Sequence, residues 1–122
     1  MSLDVPTAVL TSAERGELTD EQFLSVVRDS LPYAWEVVSV AAADGEHSIS
    51  PPSEAHRGQL LRALASTSIR TALERHFGVA LAFQNCHKVG AFPLDEVGGD
   101  AYRAFISPVS QILNQTPELR DC

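Results

Sequence analysis

Apolar positions recur at helical spacing early in the chain. Phe23, Leu24, Val26, Val27 and Leu31 fall on one side of a 3.6-residue period, and Thr19 with Gln22 three residues on forms the capping box that opens such a helix. Asp20 and Glu21 suit the positive end of its dipole. The spacing therefore predicts a helix from about Asp20 to Ser30. Pro32 cannot continue that helix but fits the first turn of another, so a tight turn and a third helix, Pro32 to Ala43, are expected, ended at Asp44-Gly45. Tyr33, Trp35, Val37, Val38 and Val40 point several ways around it, which predicts burial in the monomer or against a partner. Upstream, Thr7 is expected to cap a short helix through about Arg15, with Gly16 as the left-handed residue that ends it.

Residues 44–54 hold Gly45, Ser48, Ser50, Pro51, Pro52 and Ser53 and read as a surface loop. From about Glu54 to His76, Leu60, Leu61, Leu64, Ala65, Ser68, Ile69, Ala72 and Leu73 cover more than half the circumference of one long helix, expected to be the central one, with Gly78 ending it. Val79 to Gln84 and Lys88 to Phe92 flank Asn85-Cys86-His87 and predict a β-hairpin, although Gly90 weakens the second strand. Asp100 to Ile106 reads as helix. Ser107-Pro108 starts another through Gln115, and Thr116-Pro117 starts a last short one. The expected fold is α+β and mostly helical, with four to six helices around a central helix and one hairpin, in a single domain over 1–122.

Composition agrees with a globular domain: of 122 residues 44% are hydrophobic and 20% charged. No apolar run approaches the length of a membrane span, and Met1 to Leu10 lacks the basic and apolar regions of a signal peptide, so a cytoplasmic setting and no membrane partner are expected. Nine basic residues against sixteen acidic ones give a net charge of −7, which argues against a nucleic-acid partner. The charge is uneven. Residues 1–54 hold ten acids and two arginines, whereas residues 55–92 hold four arginines, Lys88 and one acid. Either the basic stretch packs beside the acidic helices, or it serves an anionic ligand.

The candidate chemistry lies in that basic stretch. Cys86 and His87 sit in the hairpin turn with His76 ten residues earlier, and a thiol beside imidazoles can become a thiolate, which is a nucleophile. Cys86, His87 and His76 are thus the candidate catalytic residues, while Arg75, His76, Cys86, His87 and Lys88 are candidates to bind an anionic ligand. An inert core cysteine and a structural histidine at the helix end are the plain alternatives. Two cysteines, Cys86 and Cys122, make no disulfide framework. His76, Cys86, His87 and Cys122 lack the tight pairings of a zinc site, so neither a metal nor a cofactor is expected. Asp29-Ser30-Leu31 resembles the phosphopantetheine attachment triplet of acyl carrier proteins, but it falls at the end of a helix and precedes Pro32.

The strings Gly58 to Ser66, Ala72 to Gly78 and Leu81 to His87, continued by Ser107-Pro108, Leu113 to Gln115 and Asp121-Cys122, resemble a family of short, uncharacterised actinobacterial proteins of Streptomyces type. The resemblance implies a bacterial cytoplasmic setting and no particular chemistry. With no standard catalytic motif present, the sequence points to a non-catalytic binding or regulatory protein, acting through a protein partner, a homodimer or a small anionic ligand. The alternative is a small thiol-dependent or tailoring enzyme with a pocket near Cys86.

Overall fold

A computed structural model describes residues 2–114. Among them are seven α-helices and one three-stranded antiparallel sheet, a mostly helical α+β arrangement. Helix α1 spans Thr7–Glu14 and ends at Gly16 with φ +71°. Its N-cap is Pro6, with no side-chain acceptor, so Thr7 lies inside the helix and is not its cap. Helix α2 spans Asp20–Ser30, and its capping box is complete: the Gln22 N–H donates to Thr19 Oγ1 at 3.1 Å and the Thr19 N–H to Gln22 Oε1 at 3.0 Å.

Leu31, fully buried, ends α2 and starts α3, Pro32–Asp44. Pro32 needs no acceptor at the first helical position. The next two donors, the N–H groups of Tyr33 and Ala34, find one in Gln59 Oε1, at 2.8 and 3.2 Å. α3 contacts α2, the two helices that follow it and strands β1 (Glu46–His47) and β3 (Lys88–Pro93). Ala34, Val37, Val38 and Ala41 are buried, and Trp35 packs on Phe77 and His76 with ring centres 5.4 and 5.2 Å apart. α3 is therefore the central helix, in place of the stretch 54–76. The apolar surface that suggested association is largely used within the chain.

The expected long helix is two: α4, Glu54–Leu64, and α5, Thr67–Phe77. At about 100° per residue, one straight helix would set the buried Leu60, Ala63 and Leu64 about 180° away from the buried Ile69, Ala72 and Leu73. No single core can cover both stripes, so the chain breaks at Ala65 and restarts at Ser66, whose Oγ accepts from the Ile69 N–H at 3.5 Å.

Strand β2 (Val79–Gln84) pairs with β3 as predicted, from Val79↔Pro93 to Gln84↔Lys88. Asn85 and Cys86 turn the chain with φ +55° and +60°, two successive left-handed residues as in hairpin turns of the primed kind. β1 lies inside the expected loop and pairs Glu46↔Gly90 and His47↔Val89, giving the order β1-β3-β2. Gly90 is required rather than weakening, because the ring edges of Phe92 and Phe105 occupy the space of a side chain there. Helices α6 (Asp100–Phe105) and α7 (Pro108–Leu113) close the described chain, with the Ser107 hydroxyl capping α7. The expected continuation to Gln115 and the start at Thr116-Pro117 lie outside the described residues.

Candidate functional site

Gln84 and Asn85 are buried polar residues at the hairpin turn, and α7 satisfies them. The Gln84 amide donates to the Phe105 carbonyl at 2.5 Å and to Ser110 Oγ at 3.1 Å, and its oxygen accepts from Asn114 Nδ2 at 3.0 Å. Asn85 Nδ2 donates to the Asn114 carbonyl at 2.7 Å, and Asn85 Oδ1 accepts from Gln111 Nε2. Asn114 Nδ2 also donates to Ser110 Oγ at 2.8 Å. A network this complete fixes its members rather than leaving them reactive. It clamps the C-terminal helices beside the sheet.

That placement borders a cleft of about 750 Å³. One wall is α5 with Arg70 and Glu74, the floor is β2 from Leu81 to Gln84, and the other wall carries Tyr102, Phe105, Ile106 and Pro108. Among the described residues Arg70 is the only cation of the lining. Its Nη1 donates to the Leu64 carbonyl at 3.3 Å, and among the described residues it meets no carboxylate. Glu74 is committed, since its Oε2 accepts from the Leu81 N–H at 2.8 Å. A cleft of mixed polar and apolar lining, with one guanidinium and a carboxylate already committed, suits an anionic or amphipathic ligand. A second cleft, about 520 Å³, lies between the N-terminal segment and α2 with Asp4, Glu21 and Asp29 in its lining, a sign of charge that opposes an anion.

The residues expected to form one site are separated. α5 ends at Phe77, and the six residues of β2 carry the chain roughly 17 Å, at about 3.3 Å per residue, before the turn. Arg75 and His76 stand at one end of that strand, and Cys86, His87 and Lys88 stand at the other. Arg75 reaches Asp20 at 3.6 Å in an exposed pair. His76 is exposed, its ring tilted against Trp35 and edge-on to Phe77. His87 is buried, with Nδ1 2.7 Å from the Asn85 carbonyl oxygen. Lys88 Nζ lies 3.5 Å from Glu46 Oε1 and over the Phe105 ring. Cys86 is half-buried in the turn. His76 stands at the opposite end of β2 from it, and Cys122 lies outside the described residues.

Other candidates also found places. Ser30 Oγ accepts from the Asp4 N–H at 2.8 Å, so the hydroxyl of the Asp-Ser-Leu triplet is held by the N-terminal segment. Among the described residues, no cluster of three metal-ligating side chains occurs, and no helix is long and apolar enough to cross a membrane. Arg70, Glu74, Gln84, Asn85 and Asn114 belong to none of the candidate sets that the sequence suggests. Arg70 is one of the four arginines of residues 55–92 and carries no motif of its own. The amides at 84 and 85 facing Gln111 and Asn114, three apart on α7, were the available signal for the clamp.

No curated protein and no solved structure matches the chain. A family model does match, along residues 1–122, and by that match the chain belongs to the family described as NucS shadow ORF.

Proposed function

We propose that this chain is a non-catalytic binding or regulatory protein of the actinobacterial cytoplasm, with the cleft between α5, β2 and the C-terminal helices as its seat. The observation that carries this reading is Arg70, a guanidinium on the wall of a cleft of about 750 Å³ with no carboxylate among the described residues to pair it. A cation without a carboxylate partner among the described residues, set beside aromatic and aliphatic side chains in a partly polar lining, favours a ligand that combines negative charge with apolar surface. The family description denotes a reading frame and names no activity, so the chemistry of the cleft supports the reading alone.

Two measurements test it. The chain must be made in cells that carry the frame, and the tryptic peptide from His76 to Lys88 reports it; absence of that peptide from a deep proteome refutes the reading. Native mass spectrometry of the gently purified protein should then show a retained small molecule or second protein, lost in Arg70→Gln. Bare monomer from both proteins would overturn the assignment.

A further inference from the structure

β2 is an outer strand of the sheet. In antiparallel pairing, alternate residues turn both backbone groups toward the neighbouring strand while those between turn theirs away. The Leu81 N–H donates to Glu74 instead of β3, which identifies Val79, Leu81 and Phe83 as the outward-turned set. Among the described residues, the outward N–H of Phe83 and the outward carbonyls of Leu81 and Phe83 have no hydrogen-bond partner. This same edge is the floor of the cleft. α5 runs back along it, with Glu74 beside Leu81 and Arg70 one turn earlier, toward the Phe83 end.

We propose that the outer edge of β2 is a strand-addition site. It takes an extended peptide that pairs backbone to backbone with Phe83 and sets a carboxylate against Arg70. The inference rests on the cleft reading above and names its ligand class. Strand addition draws affinity from main-chain hydrogen bonds and specificity from flanking side chains, and both are supplied here by one groove. Glu74 sets the far end of the site, because its carboxylate already occupies the next outward amide. A second copy of the chain fits less well, because its own β2 edge is walled by α5 and the helices that follow the sheet. The carboxylate can belong to an acidic side chain or to the peptide C-terminus, the shared chemistry being a planar anion for a bidentate guanidinium.

The test uses the full chain, labelled with nitrogen-15, and the probe peptide acetyl-Val-Thr-Val-Thr-Val with a free C-terminus. Three variants accompany it: the C-terminal amide, the amide with glutamate at the last position, and a form N-methylated at alternate residues. Saturating free-acid peptide should slow exchange of the Phe83 amide at least about tenfold and bind about tenfold tighter than the amide, a loss of the size expected for one charge-assisted contact. Arg70→Gln should abolish that preference and keep the Phe83 protection, which also shows that the variant is folded. Recovered affinity in the glutamate amide assigns the carboxylate to a side chain, and its absence assigns it to the C-terminus; both support the site. The N-methylated form should not bind. Unprotected Phe83 with every peptide at millimolar concentration would overturn strand addition, as would protection that rises with protein concentration alone, which denotes a second copy. If Phe83 stays unprotected while a retained ligand is still lost in Arg70→Gln, the cleft reading stands and only strand addition falls.

Discussion

Gly90→Ala is the sharpest test of how the C-terminal helices are seated on the sheet. A Cβ at position 90 would stand 2.9 Å from Phe105 Cε2 and from Phe92 Cε2, and 3.0 Å from Phe105 Cζ, where carbon contacts are normally about 3.5–4.0 Å. The rings are interlocked edge to face, Phe92 with Tyr102 at 5.2 Å and with Phe105 at 5.6 Å between centres, so neither retreats without moving a neighbour. Overpacking of this kind costs about 1–3 kcal/mol. Alanine recovers roughly 0.5–1 kcal/mol of that, because glycine loses more freedom in a strand. Two contacts at 2.9 Å against interlocked rings put the overpacking toward the upper end of its range, so the net expectation is a loss of about 1–2 kcal/mol, a fall in Tm of several degrees. Urea unfolding of Gly90→Ala, Phe105→Leu and the double variant measures it. Leucine withdraws the ring, so the double variant should lose less than the two singles together, by at least about 0.5 kcal/mol. A Gly90→Ala protein as stable as the parent, or effects additive to within about 0.3 kcal/mol, would refute the packing argument.

Gln59→Ala leaves the Tyr33 and Ala34 N–H groups at the start of α3 without their acceptor and should destabilise by about 1–3 kcal/mol in thermal unfolding, whereas Gln59→Glu, which keeps an acceptor, should lose less. Asn114→Ala removes donors to Gln84 and Ser110; faster hydrogen exchange in α7, with β2 unaffected, is the expected reading. Burial, and secondly the nearby charge of Glu36, raises the Tyr33 phenol above its usual pKa of 10.0. A raised folded pKa favours the protonated form, so this contribution is intact below about pH 10 and is lost as pH climbs through the folded value. Stability of Tyr33→Phe measured across pH 9 to 11 should therefore fall less steeply than that of the parent. Incubation with coenzyme A and a promiscuous phosphopantetheinyl transferase should leave the mass unchanged, because Ser30 is held by Asp4; a gain abolished by Ser30→Ala would make this a carrier protein.

The elements that local chemistry specifies were legible in the sequence. The capping box at Thr19 and Gln22 set the start of α2, Pro32 and Gly45 bounded α3, and the turn residues between two apolar runs gave the hairpin, because caps, proline and turns act within a few residues of the chain. Where two distant segments had to agree, the sequence fell short. Residues 54–76 satisfied one helical period on average, yet only the position of α3 decides that Leu60 and Ile69 need different faces and that the helix must break at Ser66. A two-residue strand such as Glu46–His47 has no period of its own and exists because β3 offers an edge. The site followed the same logic. Proximity along the chain joined Arg75 and His76 to Cys86, but an extended strand carries the turn away, while the packing of α5 against the edge of β2 sets Arg70 and Phe83, thirteen residues apart, in the lining of one cleft. Hydrogen bonds within a turn are fixed by neighbours in sequence; clefts are made by the packing of elements, and that is settled only when the whole core closes.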